Sequence, residues 1–150
     1  MNMDEKNNRL LLETDNQNLS ADIIKSIKLR FANKKINRVL LIQPPDTDKK
    51  SFNYDAGKRG RLYNYPPYGL GLLATQLRKI DKKVDVLNLN YEILKNCQTS
   101  KNISEFDFNK IWKDETKKII EKFQPDFIGI TSMFSQSHDV LVQLSNYIKD

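Results

Sequence analysis

The sequence predicts an α/β fold built as a doubly wound parallel sheet, and three observations lead there. Short apolar runs recur at Val39-Leu40-Leu41-Ile42, Val84-Asp85-Val86-Leu87 and Phe127-Ile128-Gly129-Ile130, and the continuous ones have the pattern of strands covered on both faces. Amphipathic stretches at helical spacing separate them. Strands alternating with helices at these loop lengths make right-handed crossover units, and so a parallel sheet.

Residues 1–18 are polar and rich in Asn and Asp, and they are expected to form a mobile arm. Residues 19–37 read as an N-terminal helix and its connector. Ser20 suits an N-cap, Asp22 the first turn, and Ile23, Ile24, Ile27 and Phe31 an apolar face. Residues 38–150 are then the main domain. Its first strand, 38–43, is stopped by Pro44-Pro45. From 46 to 64 the chain is polar, basic and without clear periodicity, and a loop of about 20 residues is generally functional or disordered. Tyr54, Tyr63 and Tyr65 interleave there with Lys58, Arg59 and Arg61. Such a mixture could grip an anionic or planar ligand; plain mobility is the alternative.

Tyr65-Pro66-Pro67-Tyr68-Gly69-Leu70-Gly71 opens the central helix, which runs to near Lys79 with Leu70, Leu73, Ala74, Leu77 and Ile80 on one face. The prolines set φ at the helix start and need no N–H donor there. Gly69 and Gly71 put no Cβ on the first turn, so a ligand can approach its free N–H groups closely. Helix–sheet packing is the other use for these glycines. A second strand is expected at 84–89. Residues 91–104 read as a linker with a short helical turn over Ile93 and Leu94, and Cys97 within it as an ordinary residue. A helix over 108–123 shows Trp112, Thr116, Ile119, Ile120 and Phe123 on one face and ends at Gln124-Pro125. The third strand is 126–131. A last helix starts near Ser137, with Asp139 in its first turn and a stripe of Leu141, Leu144 and Ile148.

Composition narrows the function classes. With 150 residues, 39% hydrophobic and 29% charged, the chain suits one soluble domain with a real core. No run approaches the roughly 20 apolar residues of a membrane span, and the start does not resemble a signal peptide. A single cysteine excludes an intrachain disulfide and any multi-cysteine metal site within these residues. The cytoplasm is the expected compartment. The net charge of +6 is spread as lysine pairs beside acids, which fits a solvated surface better than a nucleic-acid partner.

In a doubly wound sheet, ligands bind beyond the carboxyl ends of the strands, where strand order reverses. That edge is expected to gather Pro45 and the long loop, Asn88 to Asn90, and the hydroxyls of Thr131, Ser132, Ser135 and Ser137. Helix capping is the alternative role for the hydroxyls. His138 and Asp139 are neighbours, yet adjacent helical residues do not face one another, so a surface or capping histidine is expected. No Walker, GxGxxG or HExxH motif is present.

Three segments carry a family resemblance: Arg38-Val39-Leu40-Leu41-Ile42-Gln43-Pro44-Pro45, Pro66-Pro67-Tyr68-Gly69-Leu70-Gly71-Leu72-Leu73-Ala74 with its continuation to Leu89, and Gln124-Pro125-Asp126-Phe127-Ile128-Gly129-Ile130-Thr131-Ser132-Met133. Together they resemble the N-terminal cobalamin-binding domain of the cobalamin-dependent radical SAM enzymes. The wider cobalamin-binding fold carries a DxHxxG loop, whose histidine lies beneath cobalt. Matching the helices puts Gly71 at its last glycine and Tyr68 at the histidine position, which implies cobalamin binding without a histidine ligand. Thr131-Ser132-Met133 stands where that fold has an SxL pair for the nucleotide tail, and differs from it in both identities. The resemblance thus implies cofactor-binding roles for Pro45, Tyr68, Gly69, Gly71, Thr131, Ser132, Met133 and Ser135, with no catalytic residue and no protein metal ligand in this chain. It also implies a radical SAM domain in cis. Its CxxxCxxC motif, 4Fe-4S cluster and S-adenosylmethionine would lie beyond Asp150, as would the later GG pair.

A receiver- or flavodoxin-like interaction domain without cobalamin is the alternative, and the N-terminal half of a sugar-nucleotide-dependent transferase is a third. Flavodoxin-like topology gives three strands in the order 2-1-3. The third strand would then be an uncharged edge, open to self-association or to a further strand.

Overall fold

A computed structural model describes residues 21–29, 34–131 and 135–149. The chain divides into two compact units, 1–35 and 36–150. In the first, residues 21–29 are helical (α1), and Ile23, Ile24 and Ile27 on it are half-exposed. The expected arm, the Ser20 cap and Phe31 lie outside the described residues.

The second unit runs β1 (Arg38–Gln43), α2 (Tyr54–Lys58), α3 (Tyr68–Lys79), β2 (Lys83–Asn88), α4 (Leu89–Thr99), a 3-10 turn (Ile103–Glu105), α5 (Phe108–Phe123), β3 (Phe127–Ile130), a second 3-10 turn (Ser135–Ser137) and α6 (His138–Lys149). All pairing is parallel and the order is β2-β1-β3, the α/β architecture and strand order the sequence predicts. As the middle strand β1 is buried from Val39 to Gln43, which explains its unbroken apolar run. Alternation along the strand splits its side chains between two cores. Leu40 and Ile42 join Leu89, Ile93, Phe108, Trp112 and Leu144 beneath α4, α5 and α6. Val39 and Leu41 face the other way, where Leu70 and Ala74 of α3 complete a smaller cluster. Each such buried aliphatic chain stabilises by about 1.5–3 kcal/mol.

The α5 boundaries are as predicted. Asp107 caps its start by accepting from the N–H groups of Asn109 and Lys110, each at 3.1 Å, and Gln124 ends it at φ 48°, a left-handed C-terminal stop. The strand ends shift by one residue: β2 is Lys83–Asn88 and β3 is Phe127–Ile130.

Two stretches differ more. The expected linker 91–104 is mostly α4, an 11-residue helix. Asn88 ends β2 and also caps α4, its Oδ1 accepting from Tyr91 N–H at 2.9 Å, so strand passes to helix with no connecting residue. Leu89, Ile93 and Cys97, spaced four apart, are fully buried and make the helical face that holds it. The long loop, too, is largely folded. Asn53 caps α2 through Ala56 N–H at 2.9 Å, Phe52 stacks on Phe106 at 5.3 Å, and Tyr54 Oη bonds Ser100 Oγ at 2.8 Å. Lys58 donates to the carbonyls of Gln98 and Ser100. The stretch is thus packed onto α4, with Tyr54 and Lys58 hydrogen-bonded within the chain.

On α3, Leu70 and Ala74 are buried and Leu77 half-buried, but Leu73 and Ile80 are exposed. The expected five-residue stripe is wider than the face that three strands offer. Among the described residues no helix is long and apolar enough to cross a membrane.

Candidate functional site

The carboxyl ends of β1 and β3 and the first turn of α3 enclose a cavity of about 410 Å³, lined by Gln43, Gly69, Leu70, Leu73 and Thr131 among others. A second, of about 570 Å³, opens beside Tyr68, Gly71, Leu72, Thr75 and Val86. Pro67 and Leu72 line both, so the first turn of α3 is a ridge between two concavities. Both volumes fall within the range of small-molecule sites, and both are walled mainly by apolar side chains.

Among the described residues nothing packs against the two glycines on that ridge. A Cβ built on Gly69 or Gly71 meets nothing within 4 Å, so helix–sheet packing does not require them. Neither has a positive φ, which among glycines belongs to Gly60. Gly57 in α2 is the contrast: a Cβ there would stand 3.0 Å from both Cys97 Sγ and Phe52 Cζ. A glycine within a helix costs about 1 kcal/mol relative to alanine, and on α3 no internal contact offsets it.

The start of α3 is also uncapped. Its N-cap position is Pro67, with no side-chain hydrogen bond. By contrast Asn53, Asn88, Asn102 and Asp107 each cap their helices. Tyr68 N–H donates to the Pro66 carbonyl at 2.8 Å and Gly71 N–H to that of Pro67 at 2.9 Å. The N–H groups of Gly69 and Leu70, without a partner among the described residues, and the positive end of the helix dipole therefore face the edge of the sheet. Around them Tyr68 is 77% exposed, Leu72 69% and Leu73 55%, and Tyr63 and Tyr65 stand exposed before the turn with rings 6.3 Å apart. Large apolar groups gathered in the open mark a contact surface.

Beneath the ridge lies a polar network. Gln43 Nε2 donates to Asp46 Oδ1 at 3.3 Å, and Asp46 N–H donates to Asn90 Oδ1 at 3.2 Å. Asn90 Nδ2 and Asn88 Nδ2 both donate to Asn64 Oδ1, at 3.4 and 3.2 Å. Burial pushes the Asp46 carboxyl above its ordinary pKa, opposed in part by the Gln43 hydrogen bond. One atom is left over: Gln43 Oε1, on a residue 3% exposed, accepts no hydrogen bond from the described residues. Such an orphan costs about 1–3 kcal/mol.

Of the residues expected at the site, Tyr68, Gly69, Gly71 and Thr131 line the cavities. Pro45 is fully buried and lines neither. Ser135 is exposed on the second 3-10 turn and also lines neither. Ser132 and Met133 lie outside the described residues. Gln43, Asp46, Asn64, Leu72 and Leu73 were not anticipated. A signal was present for Gln43, a polar residue closing an apolar strand on the ligand-binding edge. His138 and Asp139 are exposed, and among the described residues no group of His, Cys, Asp or Glu could hold a metal ion. Cys97 is buried, and desolvation raises its pKa against the weaker pull of Lys58, so it is no thiolate nucleophile.

The chain is 30% identical over 106 residues to cytidylyl-2-hydroxyethylphosphonate methyltransferase of Streptomyces wedmorensis. That match takes in 71% of this chain but 18% of the methyltransferase. The chain therefore spans less than a fifth of the length of this curated relative. No family model matches it, and no solved structure matches it.

Proposed function

We propose that residues 38–150 are a cobalamin-binding module of the radical SAM type, seating the corrin on the first turn of α3 without a histidine ligand. One observation carries this reading: two helical glycines, uncapped and surrounded by open space, at the edge where doubly wound sheets bind ligands. A broad, flat, largely apolar ring can lie on such a ridge, with Tyr68, Leu72 and Leu73 as its contacts and the N–H groups of the first turn near its polar rim. The chain holds and orients; when bound, the cofactor supplies methyl-transfer or related radical chemistry in concert with a 4Fe-4S cluster and S-adenosylmethionine on a further domain. The likeness to a methyltransferase agrees with this, as does the small fraction of that protein the chain covers. A neighbouring domain, or a strand added beside β3, belongs to the same proposal.

The test is a titration with hydroxocobalamin followed by its absorption spectrum. Wild-type chain should bind, and His138→Ala should leave the spectrum unchanged. Gly71→Ala should weaken binding about tenfold or more, equivalent to ~1.4 kcal/mol, without lowering thermal stability. Nitrogen hyperfine coupling from a histidine in the EPR spectrum of the reduced cofactor would exclude the histidine-free reading. No binding at all, at near-millimolar cofactor, would leave the interaction-domain alternative.

A further inference from the structure

We propose that Gln43 selects the ligand of this cleft: its side-chain oxygen accepts a hydrogen bond from a neutral carboxamide N–H carried on the ligand's rim. The inference rests on the corrinoid reading above and adds to it a residue that neither the family resemblance nor the relative assigns.

Gln43 ends the central strand and lines the cavity between the ends of β1 and β3, opposite Gly69 and Thr131. Its amide is oriented by its own neighbour. Asp46 as a carboxylate can only accept, so the Nε2 side of the amide turns to it, at 3.3 Å. Oε1 is left shielded from solvent and without a donor among the described residues, on a side chain that lines the cavity. The rest of the network is already engaged, with Asp46 N–H on Asn90 and the amides of Asn88 and Asn90 on Asn64. Gln43 Oε1 is thus the one buried side-chain oxygen or nitrogen among the described residues without a partner. A bond of 3.3 Å is at the long end for N–H···O, so the amide can turn to meet a ligand at little cost. Gly69, on the same cavity, has open space among the described residues where a side chain would stand.

The chemistry of the incoming group follows from its surroundings. A bare carbonyl oxygen beside the acid of Asp46 repels phosphate and carboxylate. The apolar walls of Leu70, Leu72 and Leu73 disfavour an ammonium ion, whose desolvation is costly. A neutral N–H donor satisfies both conditions, and the corrin rim carries carboxamides.

The experiment uses the 150-residue chain, wild type and Gln43→Met, with two probes: cobalamin and a corrinoid whose rim carboxamides are converted to methyl esters. Methionine keeps the volume and removes the acceptor. Gln43→Met should bind cobalamin about 3- to 10-fold more weakly, the loss expected of one neutral hydrogen bond, and should bind the ester no more weakly than wild type does. Equal weakening toward both probes means that Gln43 only shapes the cleft, and it overturns the proposal, as does cobalamin binding unchanged by the substitution. If Gln43→Met does not fold, wild type alone decides, since equal affinity for amide and ester probes also overturns it. Wild type that binds neither probe refutes the corrinoid reading itself.

Discussion

The two ends of β1 are finished in opposite ways. At the amino end the Asp126 carboxylate accepts the backbone N–H groups of Asn37 and Arg38, at 2.9 and 2.8 Å, with the Arg38 guanidinium 3.8 Å away. Those hydrogen bonds, aided by the guanidinium charge, hold its pKa below the usual carboxylate value. At the carboxyl end burial pushes the Asp46 pKa up, Gln43 Oε1 has no donor among the described residues, and α3 begins uncapped on two glycines. One end closes on itself, and the other leaves one buried polar atom and an exposed apolar surface unmatched among the described residues. Local rules that are kept through most of a fold and broken at one place point to that place as the functional one. The sheet faces repeat the contrast: among the described residues of this unit, α4, α5 and α6 pack on one side and α3 on the other.

The largest expected effect sets the two kinds of helical glycine against each other. Gly57→Ala pushes a methyl to 3.0 Å from Cys97 Sγ, which is fully buried and cannot retreat. Overpacking of this kind costs about 1–3 kcal/mol, more than the ~1 kcal/mol that alanine returns in helix propensity. Gly71→Ala meets open space and should stabilise the ligand-free chain by up to ~1 kcal/mol. Urea unfolding of the two variants should therefore move in opposite directions. Movement in the same direction would erase the distinction between a packing glycine and a ligand-facing one.

How much of this was legible differs by element. β1 reads clearly because a middle strand has two buried faces and so tolerates no polar residue between Val39 and Ile42. α5 reads clearly because Gln124-Pro125 marks its end and Trp112, Thr116, Ile119 and Phe123 repeat on one face; the Asp107 cap at its start was not read from the sequence. α4 was hidden because Asn88 serves both strand and helix. Leu89 then read as the end of a strand and not as the first residue of the 89, 93, 97 stripe. α2 has five residues and one glycine, and no local pattern could announce it. It forms on a tertiary platform of Phe106 and α4. At the site, Gly69 and Gly71 were visible as a choice between packing and approach, and only the space around them decides between the two. The orphan on Gln43 depends on where Asp46, Asn90 and Asn64 meet, which sequence spacing does not encode.

A smaller effect tests the closed end of β1. Asp126 has a folded pKa below its unfolded value. Its contribution is therefore present above the unfolded pKa, about 3.9, and is lost as pH falls through the folded one. Asp126→Asn should be less stable than wild type near neutrality, and the gap between them should close on acidification below about pH 4. Chemical denaturation across that range checks it. A gap that persists undiminished at about pH 2 would mean that the charge is irrelevant and the carboxyl oxygens act only as neutral acceptors.

The smallest effect comes from the open end and has the opposite sign. Desolvation, offset partly by the Gln43 hydrogen bond, raises the folded pKa of Asp46 above its unfolded value. Stability from this group is then present below the unfolded pKa and lost as pH rises through the folded one. Asp46→Asn keeps an oxygen for Gln43 Nε2 and removes the charge that burial penalises. The group is only half-buried, so solvent screens the penalty, and the expected gain at neutral pH is less than about 0.5 kcal/mol. The shape of the curve is more telling than its height. Relative to Asp46→Asn, wild type should lose ground as pH rises from the ordinary carboxylate range, whereas relative to Asp126→Asn it gains ground as pH rises through the lower window. Two carboxylates at opposite ends of one strand would then report opposite slopes from the same unfolding experiment. If Asp46 instead showed the Asp126 slope, the carboxyl edge would be as well satisfied as the amino edge, and the case for a ligand site there would lose its electrostatic support.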